Sequence, residues 1–142
     1  MSEPDERQLI IHHDLGSWNF VHGAGRNVFI DWDLAGPGSA LWDLAFSAHS
    51  FAGVGTSWSL ELVGQRLCEL VDGYDLDETD RIKLIELLPR RYQAMYDVLK
   101  RGHERGTQPW ARMWREGHGA VWERITAAAA EHSQVLQDAL LR

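Results

Sequence analysis

The feature that most constrains this chain is a change of hydrophobic period at Gly36-Pro37-Gly38. Before it, apolar residues come in short pieces, Leu9 to Ile11, Phe20-Val21 and Val28 to Ile30, separated by turn-forming residues. "HGAGRN", His22 to Asn27, puts two glycines and an asparagine between the last two pieces. They read as a β-hairpin with a somewhat long loop, its second strand running into Asp31. After Gly38 apolar residues recur every three or four positions, the period of a helix that buries one face. The expected fold is therefore α+β and mainly α, a small β-hairpin over 9–36 followed by a helical region over 39–142.

Ser39 to Phe51 reads as the first helix, and Leu60, Val63, Leu67, Leu70 and Tyr74 mark a second over about Ser57 to Asp72, with Gly73 as terminator. "DLDETDR" then offers Asp77 as an N-cap with acidic residues in the first turn. The helix it opens has Ile82, Ile85, Leu88, Tyr92, Met95 or Tyr96, and Leu99 on one face, and Pro89 is expected to kink or split it. From Trp110 to Leu141 a last stripe runs through Met113 or Trp114, Val121, Ile125, Ala129, Leu136 and Leu140, interrupted at Gly117 and Gly119. Met1 to Gln8 is charged and contains Pro4, so it is expected to fray, which leaves 9–142 as one domain.

A chain of 142 residues with 44% apolar side chains can build one real core. Its net charge of −7, from 14 basic and 21 acidic side chains, argues against a nucleic-acid partner. Cys68 is the single cysteine, and the sequence shows no N-terminal apolar h-region and no apolar run of membrane-spanning length. A cytoplasmic protein without a membrane partner is expected.

The chemistry concentrates in two places. "HHDLGSWN" sets His12, Asp14 and Asn19 at the spacing H-x-D-x-x-x-x-N, with Leu15 directly after the aspartate, and the β-run Val28 to Ile30 delivers Asp31 in "IDWD". Protein kinases space their catalytic loop and their magnesium-binding aspartate in this order. Turn chemistry alone also favours Asp and Asn at such places, because their side chains bond their own backbone.

"HHDLGSWN", "FIDWDLAGPG" and "WDLAFSA" together resemble the aminoglycoside phosphotransferase and choline kinase-like family of small-molecule kinases. "LPRRYQAMYDVL" and "WARMWREGHGAVWERI" are similar to the helical part of its bacterial members. The resemblance implies the C-terminal lobe of a protein kinase-like fold. It implies that Asp14 is the catalytic base toward an acceptor hydroxyl, and that Asn19 and Asp31 hold Mg²⁺ on the phosphates of ATP, with Asp33 a further candidate ligand. His12 is expected to orient the loop by bonding its backbone, and Asp43 to cap its helix or brace the loop from behind. His13 stands where the family usually has glycine, and Gly16-Ser17-Trp18 replaces a common His-Pro-Gly. The glycine-rich loop, strand lysine and helix glutamate of the family's N-lobe are not found in the eight residues before Leu9.

Trp18 and Trp32 flank these residues and are candidate walls of a substrate pocket, whereas Trp42, Trp58, Trp110, Trp114 and Trp122 fall where helix packing is the commoner role. Two further readings remain. One is a non-catalytic interaction module or split-enzyme subunit, whose uncovered apolar surface around Leu9 to Ile11 and the hairpin is expected to be covered by a homodimer or a separate N-lobe. The other is a metal-dependent hydrolase using His12, His13, Asp14, Asp31 and Asp33, although adjacent histidines on a strand point in opposite directions.

Overall fold

Phe20 to Phe29 folds into the hairpin that its pattern indicates, but with a tighter turn. In the computed structural model, which describes residues 9–142, β2 (Phe20–Gly23) and β3 (Arg26–Phe29) pair antiparallel with Phe20 opposite Phe29 and Gly23 opposite Arg26. Only Ala24 and Gly25 remain as the turn, at φ of 47° and 75°. Two left-handed residues match the right-handed twist of the flanking strands, so the pairing extends through His22 and Asn27, which the sequence reading assigned to the loop. The expected fraying of residues 1–8 lies outside the described residues.

A second pairing was not foreseen. β1 (Leu9–Ile11) runs antiparallel to β4 (Gly36–Gly38), with Leu9 opposite Gly38 and Ile11 opposite Gly36. Gly-Pro-Gly carries no strand vocabulary, yet its proline sits in a two-stranded ladder where the missing N–H can face outward. This ladder closes the whole 12–35 segment into one loop, so the chain leaves and re-enters the same place.

Six helices follow among the described residues: α1 (Ala40–Ser50), α2 (Leu60–Gly73), α3 (Glu78–Arg105), α4 (Trp110–Arg115), α5 (His118–Glu131) and α6 (Ser133–Leu140). The side chains of Ser39, Ser59 and Asp77 each accept an amide hydrogen from the first turn of α1, α2 and α3. α3 is the spine, packed on α1, α4 and α5. It continues through Pro89 rather than splitting there, since packing along its length outweighs the roughly 3 kcal/mol that an internal proline costs.

The core joins Phe46, Leu67, Val71, Leu84, Ile85, Leu88, Tyr92, Leu99, Trp122, Ile125 and Leu136. The stripe from Trp110 to Leu141 is three helices, interrupted at Gly117, with φ 90°, as its pattern indicates, and again at His132 rather than at Gly119, which lies inside α5. One expectation for the core is corrected. Within the stripe Val121 is exposed and Trp122 takes the buried position, stacked on Phe46 at 5.8 Å. No helix among the described residues is long and apolar enough to cross a membrane.

Candidate active site

The loop after β1 is held from behind by one carboxylate. Asp43, in the first turn of α1, is buried and accepts the backbone N–H of His12 at 2.7 Å and that of His13 at 2.9 Å, one on each oxygen. Ser39 caps the helix, so of the two expected tasks Asp43 performs the bracing one. Farther along α1, Ser47 donates to the Leu15 carbonyl at 2.7 Å and Ser50 accepts the Ser17 amide at 3.1 Å. One helix face therefore fixes the loop backbone at His12, His13, Leu15 and Ser17.

His12 is buried and both its ring nitrogens are engaged. Nε2 donates to the Ile30 carbonyl at 2.8 Å, which leaves Nδ1 to accept the Asp14 amide at 3.2 Å. The ring thus ties the loop to the end of β3. His13 turns the other way, with its backbone left-handed at φ 67° and its Nε2 on the Pro37 carbonyl at 3.3 Å. A left-handed histidine is costly, and its carbonyl is secured by Arg91 of α3, which donates to it at 2.7 Å.

Arg91 is fully buried, its guanidinium 4.5 Å over the Phe46 ring and 5.3 Å from that of Trp42. Burial lowers its pKa to about 10, against the attraction of Asp43, so it remains a cation at neutral pH. Burial also lowers the pKa of His13, more than its bond to Pro37 and the charge of Asp43 raise it. Arg91 escaped the sequence reading although a signal was there: it lies three residues after Leu88 and beside Tyr92, within the apolar face of α3. Ser47 and Ser50 gave no comparable signal.

On the open side of this brace, the Asn19 side-chain amide donates to the Asp14 carbonyl and to Asp14 Oδ2, both at 2.9 Å. Trp18 Nε1 donates to the same Oδ2 at 3.3 Å. One carboxylate oxygen is thereby fixed and Oδ1 carries no bond from within the described residues. Asn19 has spent its NH₂, so its Oδ1 is the atom left for another ligand. The Ile30 amide donates to the Asn19 carbonyl at 2.9 Å and brings the next residue, Asp31, alongside. Asp31 is exposed and left-handed at φ 61°, a conformation that Asp tolerates better than most residues.

Asn19 and Asp31 could together offer hard oxygen ligands to Mg²⁺. Asp33 follows in an exposed turn closed by the Ala35 amide on the Trp32 carbonyl. Trp18 and Trp32 are both half-exposed, Trp18 edge-on to Phe46 and Trp32 tilted 4.6 Å from the His12 ring, with its indole N–H on the Phe29 carbonyl.

The hydrolase centre on His12, His13, Asp14, Asp31 and Asp33 is not assembled. The two imidazoles diverge to Ile30 and Pro37, and among the described residues no group of three or more His, Cys, Asp or Glu is arranged to hold a metal ion.

The loop after β1 and the end of β3 are thus joined by the Ile30 amide on the Asn19 carbonyl and by the His12 ring on the Ile30 carbonyl. A model of the phosphotransferase enzyme family (APH) matches residues 2–85, more than half of the 142. The chain belongs to that family. The match spans both strand pairs, α1, α2 and the start of α3, and it stops before Arg91 and α4 to α6. Neither a curated protein nor a solved structure matches the chain.

Proposed function

We propose that this chain is the catalytic lobe of a small-molecule O-phosphotransferase that moves the γ-phosphoryl group of ATP to an acceptor hydroxyl with Mg²⁺. The observation that carries this reading is the state of Asp14: Oδ2 is pinned by Asn19 and Trp18, and Oδ1 is left to accept a proton. As the acceptor oxygen bonds to the γ-phosphorus, its proton passes to Asp14 Oδ1, and the bond from phosphorus to the bridging oxygen breaks with its electron pair leaving on ADP. Asn19 Oδ1 and the Asp31 carboxylate would hold Mg²⁺, with Asp33 nearby, and the ion would there neutralise charge on the phosphates. His12 and Asp43 touch neither substrate; they hold Asp14 where it acts.

The experiment is transfer of labelled γ-phosphate to a panel of hydroxyl compounds in the presence of Mg²⁺. Asp14→Asn should cut transfer by about 10²- to 10⁴-fold while the fold persists. Undiminished transfer in that variant would overturn the assignment.

This lobe alone is expected to hold the nucleotide only weakly. The two lysines of the sequence, Lys83 and Lys100, both lie on α3, so neither is a strand lysine for the α- and β-phosphates. A second reading, an interaction module or split-enzyme subunit, is favoured by the exposed apolar face beside the site. Among the described residues Leu9, Ile10 (70% exposed), Val21, Val28, Ile30 and Trp32 lie open, and β1 and β3 each belong to a two-stranded ladder with a free edge. A second copy paired edge to edge would cover this face. Light scattering at micromolar concentration should give a dimer; a clean monomer would leave a separate N-lobe as the occupant.

A further inference from the structure

The segment that carries Asp31 continues into the wall of a cavity in the part of the chain beyond the family match. This cavity, about 170 Å³, is lined by Leu34, Val98, Arg101, Arg105, Thr107 and Trp110. Leu34 fixes its relation to the site, three residues after Asp31 and on the turn that the Ala35 amide closes. Val98 is buried and makes an apolar floor. Arg101 and Arg105 are one helical turn apart and so share a face of α3. Trp110 closes the far side, and it can do so because residue 102 is glycine: a Cβ there would stand 2.4 Å from the Trp110 Cβ.

The charge of this cavity is unusual for the chain. Net charge is −7, yet neither Arg101 nor Arg105 is paired with a carboxylate among the described residues. A helix C-terminus attracts cations in its last turn through its dipole. The dipole accounts for basic residues there, but not for two arginines and Thr107 lining one hollow together with Leu34, Val98 and Trp110. Guanidinium forks beside a hydroxyl suit the oxygens of a phosphate or carboxylate.

We propose that this cavity receives the anionic group of the acceptor, so that the molecule phosphorylated is an anionic alcohol, a hydroxy acid or a phosphorylated sugar or polyol. The proposal rests on the phosphotransferase reading of Asp14, Asn19 and Asp31; anion binding by the cavity itself does not.

The test is a titration of the full chain with inorganic phosphate and, separately, with acetate, followed by NMR at the Trp110 indole N–H. Saturable shifts at millimolar anion are expected, weakened at least tenfold in the Arg101→Gln/Arg105→Gln variant and unchanged in Asp14→Asn. Preference for phosphate over acetate assigns a phosphorylated acceptor, and the reverse a carboxylate. No saturable shift, or the same affinity in the double variant, overturns the proposal. If neutral or cationic alcohols are phosphorylated while the cavity binds no anion, the anionic acceptor falls alone. If the cavity binds anions but Mg²⁺ and ATP yield no transfer to any alcohol, the phosphotransferase reading falls, and the acceptor role with it.

Discussion

The two halves of the site are built in opposite ways. Asp14 and Asn19 sit on a loop whose backbone is bonded by Asp43, Ser47, Ser50 and Arg91, and whose side chains bond each other. Asp31, Trp32 and Asp33 lie exposed on a short segment, joined to that loop through the Ile30 amide and the His12 ring. The difference fits the proposed roles: the base Asp14 is preorganised by the protein alone, whereas Asp31, the ligand offered from the strand end, is left accessible.

The largest effect is expected at the brace. Asp43→Ala leaves two buried amides without their carboxylate and the buried Arg91 without its counter-charge, so urea unfolding should show a loss of about 3 kcal/mol or more. In the same assay Asp31→Ala should stay within about 0.5 kcal/mol of the parent. Equal losses would break the comparison.

Next comes pH. Burial lowers the pKa of His13 and of His49, so below the ordinary value of 6.5 the unfolded chain binds protons that the folded chain refuses. Stability should therefore fall as pH drops through 6.5 toward the folded-state values, and His13→Asn should flatten part of that slope. A profile flat from pH 7 to 5 would deny that these rings are held neutral. The smallest effect concerns the hairpin that presents Asp31. Ala24 occupies a left-handed position that Asn fills better before Gly25, so Ala24→Asn should stabilise by about 0.5 kcal/mol, read as a rise in melting temperature.

Much of this was legible in the sequence because it is local. Ser39 and Asp77 announce their helices by capping, and the H-x-D-x-x-x-x-N spacing with its following strand places Asp14, Asn19 and Asp31 on one loop and its neighbour. What stayed hidden depends on long-range contact. The β1–β4 ladder joins residues nearly thirty positions apart through Gly-Pro-Gly, which has no strand propensity. Arg91 contacts His13 across 78 positions, and a lone arginine in an apolar face reads as a surface residue until its partner is known. Val121, four residues before Ile125, is exposed because Trp122, three before Ile125 and seven before Ala129, takes the buried face of α5.

The central claim, that the braced loop and the exposed aspartate form one phosphotransfer site, is tested most directly by calorimetric titration of the chain with ATP in the presence and absence of Mg²⁺. The account predicts millimolar, Mg²⁺-dependent heat that Asp31→Asn and Asn19→Ala each abolish and Asp14→Asn preserves. No heat at millimolar nucleotide, or heat indifferent to Mg²⁺ and to Asp31, would contradict it.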